Sequence, residues 1–144
     1  MIFLICPVRA FLFPDGTPKP DELLRPEEKV KKAAIVAYVA KLESEGAKVY
    51  WPMRDTDQTD PHGWDICSKN FLAILGADEI HVWYDPASTG SEFDLGIVFA
   101  LFRIGFFKWK VIIANPEGVH PTALKSFNNV LLKLQETSLQ VYRS

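Results

Sequence analysis

A doubly wound α/β sheet, mostly parallel, is the fold class this sequence predicts, and three observations carry it. Short apolar runs of strand length alternate with longer segments that bear helix signals. The runs Ile2 to Cys6 and Ile80 to Tyr84 are apolar almost throughout, as strands covered on both faces are. The chain has 144 residues, 48% apolar and 24% charged, enough for one substantial core. Residues 1–144 therefore read as a single domain, with no repeat, low-complexity tract or linker.

Ile2 to Cys6 is the first strand, stopped by Pro7. Phe11 to Pro20 holds three prolines and Asp15-Gly16, and forms a loop. Pro26-Glu27-Glu28 opens the first helix, with proline early and acids in the first turn. Its apolar residues run through Val30, Ala34, Ala37, Tyr38 and Leu42, and Gly46 stops it. Val49 to Trp51 is the second strand. Asp55 to His62 is a polar loop, and a helix follows from about Gly63 to Gly76. The third strand is Glu79 to Tyr84; the next helix begins near Glu92 and includes Phe93 to Phe107. Lys110 to Ala114 is a fourth strand, Pro121 opens a last helix to about Gln135, and Leu139 to Tyr142 adds a fifth strand. The expected strand order is 2-1-3-4-5, a flavodoxin-like arrangement, which puts ligands beyond the C-terminal ends of strands 1 and 3. The loops there hold Arg9 and Ser88 to Asp94.

Composition narrows the function classes. A net charge of −2 gives no general attraction for nucleic acid polymers. The two cysteines, Cys6 and Cys67, make no disulfide framework, and Cys6 reads as a buried thiol in a reducing compartment. Pro7 and Arg9 interrupt the apolar start too early for a signal peptide or a membrane span, so a cytoplasmic protein is expected. Asp55, Asp57, Asp60 and His62 lack the glycine and terminal glutamate of an EF-hand, and His62 and Cys67 have no second pair for zinc; no metal is expected. Phe106 to Lys110 mimics an aromatic-basic patch but reads as a helix end running into a strand, with rings available to a dimer interface.

The stretch from Trp83 to Gly96 is the richest in chemistry. A strand, a loop of small residues and a helix N-terminus present backbone N–H groups that favour anions. Its carboxylates, Glu92 and Asp94, could face a sugar carbon that turns cationic as a glycosidic bond breaks. Two apart on a helix, they point in roughly opposite directions, so one cleft holds only one of them. Ser91-x-x-Asp94 also fits a capping box, which would make Asp94 a helix-start residue. Trp51, Trp64 and Tyr84 lie near loop ends, where a ring could stack on a base or join the core.

Ser88-x-Gly90-x-x-x-Asp94-Leu95-Gly96 resembles the S/D-x-G-x-x-x-E-L-G signature of the nucleoside 2-deoxyribosyltransferase superfamily, which includes 5′-monophosphate N-glycosidases. The resemblance implies that Asp94 takes the nucleophile's place, where the family has glutamate, with Glu92 as the rival. Asn70, eight positions before Asp78, stands where the family carries an acid and would orient sugar or base. With an amide there, Asp85, Asp65 or His62 are candidates to assist the leaving base. Ser88 matches a serine that holds the 5′-phosphate in the monophosphate enzymes, where the free-nucleoside enzymes have aspartate. Arg9 matches an arginine of the monophosphate enzymes, and Pro7 replaces one of their serines. Gly90 and Ser91 would shape the ribose-phosphate pocket. Asn129 resembles an asparagine lent across the subunit interface of the transferases, so the substrate subclass stays open.

The implied activity is cleavage or exchange of an N-glycosidic bond in a nucleoside or nucleoside 5′-monophosphate. A second base as acceptor makes it a transferase and water makes it a hydrolase. The resemblance further implies a homodimer or larger assembly and no cofactor. Two other readings stay open: a catalytically silent nucleotide-binding module, since both acidic positions have changed, and a relative acting on a dinucleotide such as NAD through a cleft widened by the Phe11 to Pro20 loop.

Overall fold

The computed structural model of the chain describes residues 1–105 and 109–143. Its sheet is all parallel and has four strands among the described residues: β1 (Ile2–Ile5), β2 (Val49–Tyr50), β3 (Glu79–Val82) and β4 (Lys110–Ile113). Their order is 2-1-3-4. β1 is central, with Ile2 opposite Val49 on one side and Ile2 to Ile5 opposite Glu79 to Val82 on the other.

The pleat divides the core in two. Phe3 and Ile5 point into one layer with Ile80, Val82, Val111 and Ile113, whereas Ile2 and Leu4 point into the other with Ile35, Val39 and Val49. The second layer is covered by α1 (Pro26–Ser44). The first is covered by α3 (Trp64–Leu75), through Ile74, and α4 (Thr89–Arg103), through Val98. A short helix, α2 (Pro52–Asp55), follows β2.

α1 starts where its sequence signals put it, with Pro26 first and the Glu28 carboxylate accepting the Arg25 N–H at 3.2 Å. Gly46, at φ +89, terminates it. Its buried face differs from the expected one. Ile35 and Val39 form the face with Tyr38 and Leu42 beside them, while Val30 and Ala37 face solvent. His81 joins this helix to β3: its Nδ1 lies 2.6 Å from the Tyr38 hydroxyl and its Nε2 lies 2.9 Å from Glu79 Oε2.

The largest correction is at the C-terminal end. Residues 121–126 form a turn, and α5 spans Phe127–Arg143, running through the Leu139 to Tyr142 segment expected as a fifth strand. The reason lies on β4. The Val111 N–H donates to Ser138 Oγ at 3.0 Å, and the Ile113 N–H donates to Gln135 Oε1 at 2.7 Å. Helix side chains thus satisfy the edge that a strand would have paired. α4 also starts earlier than the expected Glu92, and the expected helix residues Phe106 and Phe107 lie outside the described residues. Among the described residues no helix is long and apolar enough to cross a membrane.

Ser138 is fully buried, so Ser138→Ala strands the Val111 N–H without an acceptor. The expected loss is about 1–3 kcal/mol of stability, seen as a lower denaturation midpoint at unchanged slope. An unchanged midpoint would show that the helix does not serve the edge in this way.

Candidate active site

At the C-terminal ends of β1 and β3 the chain leaves a cleft of about 520 Å³, within the size range of small-molecule sites. Its walls come from Cys6 to Ala10 after β1, the loop before α4, one face of α3 and the start of α1. Arg9, Asn70, Asp85, Ser88, Gly90 and Asp94 all line it, although they are spread over most of the sequence. Glu92, Ser91 and Asn129 do not.

Local capping explains why Asp94 faces inward. Ser88 is the N-cap of α4, its Oγ accepting the Ser91 N–H at 3.3 Å and lying 2.8 Å from Ser91 Oγ. The cap therefore starts at Ser88, and the expected capping box from Ser91 to Asp94 does not form. Asp94 falls in the second turn on the buried side, 8% exposed. Burial pushes its carboxyl up from 3.8 to about 7, and a hydrogen bond from the Asn70 side chain opposes that rise. Cys6 lies beside it at the end of β1. Burial pushes its thiol up to about 12, so it is a neutral part of the wall rather than a nucleophile.

The residues expected to meet an anion lie in the same cleft. Gly90, in the first turn of α4, has open space where a side chain would project, so a ligand can approach the backbone closely. Arg9 is exposed at the start of the 3₁₀ turn that follows β1. Asp85 is engaged by the protein itself: it pairs with Lys31 of α1 and accepts the Ala87 N–H at 2.9 Å. Both of its oxygens are engaged in this way, and it shapes the loop.

The remaining candidates have local roles. Asn129 holds the 121–126 turn, donating to Thr122 O and Leu124 O and accepting the Thr122 N–H at 2.8 Å. His62 and Asp65 are exposed and outside the cleft lining. Asp57 and Asp60 close turns through Thr59 and through His62 and Asp65, and Asp55 accepts the Trp51 N–H. Among the described residues no group of three or more His, Cys, Asp or Glu could hold a metal. Tyr84 is buried in the core, Trp64 faces solvent and Trp51 packs beside the second core layer.

Several residues in or around the site carried no functional signal in the sequence. Phe93, 57% exposed, is the aromatic ring lining the cleft among the described residues, one position before Asp94. Asn115, at the end of β4, clamps Tyr84 with both ends of its amide, accepting the Tyr84 N–H and donating to the Tyr84 carbonyl, each at 2.8 Å. That clamp fixes where the loop before α4 begins. Gly16, at φ +87, lets the 11–20 loop lie against the backbone of Gln58, where a Cβ would come within 2.0 Å of the carbonyl oxygen. Gln58 is itself a cleft residue.

Because the Asp94 carboxyl titrates higher in the folded protein than its ordinary value of 3.8, the folded state holds its proton longer. The group therefore destabilises the fold increasingly as pH rises from about 4 to about 7, and fully above that. Asp94→Asn is expected to match wild type near pH 4 and exceed it by on the order of 4 kcal/mol at pH 8, each pH unit between the two values counting about 1.4 kcal/mol. Thermal or chemical denaturation across that range checks it; a gain that did not grow with pH would refute the burial of this charge. Gly16→Ala is expected to destabilise the protein by more than about 1 kcal/mol, since it meets both a left-handed backbone and a carbonyl.

Comparison with protein-family models, with curated proteins and with solved structures yields no match for this chain, so its function is read from the site itself.

Proposed function

We propose that the cleft binds a nucleoside or a nucleoside 5′-monophosphate and cleaves or exchanges its N-glycosidic bond. The observation that carries this reading is the desolvated Asp94 carboxyl, held in one cleft with Ser88, Gly90 and Arg9 at the start of α4. As the bond to the base stretches, positive charge develops on the anomeric carbon and the ring oxygen. A carboxylate in a water-poor setting interacts with that charge far more strongly than it would in water. It either attacks, forming a carbon–oxygen bond as the base leaves with the electron pair, or stabilises the cation until an acceptor arrives. A second base as acceptor gives transfer, and water gives hydrolysis.

The other residues take positions consistent with that chemistry. The Ser88 hydroxyl, the first N–H groups of α4 and Arg9 would meet a phosphate or the sugar's 5′ side. Asn70 would orient Asp94, and Phe93 would stack on the base. The fold enters this reading as a four-stranded relative of the flavodoxin-like arrangement. A homodimer or larger assembly belongs to it too, supported by Trp64, Leu72, Phe93 and Ile104, each more than half exposed on α3 and α4 or just beyond.

One observation favours a second reading, a silent nucleotide-binding module. The amide of Asn70 has no acidic proton to give a departing base. Such a module would be stabilised by ligand without releasing base.

The test is free-base release by liquid chromatography from a panel of nucleosides and their 5′-monophosphates, with and without an acceptor base. Asp94→Ala is expected to lose on the order of a thousandfold in rate, and Glu92→Ala to stay within about threefold. Because Asp94 must be ionised, release should rise about tenfold from pH 6 to pH 8. Release that survives Asp94→Ala would refute the proposal. Ligand-induced stabilisation with no release would select the silent module.

A further inference from the structure

Beside the cleft, Tyr50 and Thr56, which the chemistry above does not use, form a hydrogen-bonded chain with Asn70. Thr56, just after α2, is 4% exposed and Asn70 is 8% exposed. Thr56 Oγ1 donates to Asn70 Oδ1 at 2.9 Å, and the Tyr50 hydroxyl lies 2.6 Å from Thr56 Oγ1. A threonine has one hydroxyl proton. Spent on Asn70, it leaves Thr56 as the acceptor for Tyr50, whose hydroxyl meets the Asp55 carbonyl only at the longer distance of 3.3 Å, so the chain runs from Tyr50 to Thr56 to Asn70. Its far end is anchored, because the Tyr50 ring stacks on Phe3 of the central strand at 5.6 Å between centroids.

The consequence falls on the amide. Asn70 and Asp94 line the same cleft, and with Oδ1 accepting from Thr56 the amide has only Nδ2 to offer the Asp94 carboxylate. The flipped amide would set its oxygen against a carboxylate oxygen and give the carboxylate no donor.

We infer that Thr56 is a positioning residue for Asp94: its hydroxyl, held by Tyr50, locks the Asn70 amide with Nδ2 on the Asp94 carboxylate. A residue outside the cleft lining thereby governs the orientation of the central carboxylate and how readily it ionises. The other charged groups of the cleft are largely occupied with one another. Arg25 pairs with Glu27 and Glu28, and Lys31 pairs with Asp85. Arg9 is exposed, Cys6 and Cys67 complete the ionisable set, and Asn70 supplies the hydrogen bond that opposes burial of Asp94. The catalytic consequence rests on the proposed glycosidic chemistry, whereas the coupling of Thr56 to Asp94 does not.

The test is a carbon-13 NMR titration of the Asp94 carboxyl in the full chain, assigned by its loss in Asp94→Asn, with base release measured in parallel. Thr56→Val keeps the shape and removes the hydroxyl. It is expected to raise the Asp94 midpoint by about one pH unit, because the amide is free to flip. Thr56→Ser is expected to restore the midpoint, and Tyr50→Phe to raise it by less. In the release assay Thr56→Val should lower kcat about fivefold at pH 7, with KM within about twofold and recovery at higher pH. An unmoved midpoint in folded Thr56→Val, or no restoration by Thr56→Ser, would overturn the inference. If Thr56→Val does not fold, Thr56→Ala and Tyr50→Phe are read by the same criterion. Shifted midpoints without base release from any variant would leave the positioning role standing and remove the catalytic proposal; unmoved midpoints with release intact would do the reverse.

Discussion

The reversal of winding at β1 is the constraint on which the molecule depends. β1 has β2 on one side and β3 on the other, so the chain must leave it in one direction and later return in the opposite one. Right-handed crossovers then send α1 to one face of the sheet and α3 and α4 to the other. The segments leaving β1 and β3 diverge toward opposite layers, and a gap opens between them. Cys6 to Ala10 form one side of that gap, and Asp85 to Gly90 form the other. The alternation of Ile2, Phe3, Leu4 and Ile5 between two core layers holds this arrangement rigid from below.

Within that gap, the burial of Asp94 sets stability against chemistry. A carboxylate that is 8% exposed and served by one amide is a poor choice for holding a fold together. The surroundings compensate by being fixed. Asn115 clamps the backbone of Tyr84, Lys31 holds Asp85, and Ser88 caps α4, so the loop is shaped before any ligand enters. Groups already in position need no reorganisation when charge develops beside them.

The strands were legible because their apolar runs are short and rich in isoleucine and valine, and the helix period implied that Asp94 and Glu92 do not share one cleft, while the preference for Asp94 came from the motif register. The helix start was harder to read. Ser88 and Ser91 are both good N-caps in sequence, and only the hydrogen bond from the Ser91 N–H to Ser88 Oγ distinguishes them. The environment of Asp94 could not be read, since it depends on how the ends of β1 and β3 meet α3. Thr56 was silent for the same reason: its partner is fourteen positions away on another element. At the C-terminal end, Leu139 to Tyr142 has strand-like composition, but Leu131, Leu134 and Ser138 recur at helical spacing and face β4. Tertiary contact with that edge prevailed over local propensity.

The way α5 covers β4 also restricts how the molecule can associate. With the outward N–H groups of Val111 and Ile113 already bonded to Ser138 and Gln135, no foreign strand can lengthen the sheet there. The opposite margin is a two-residue strand whose Val49 carbonyl is taken by the Arg54 guanidinium at 2.9 Å. Side chains thus cap groups on both borders of the sheet, which works against edge-to-edge aggregation.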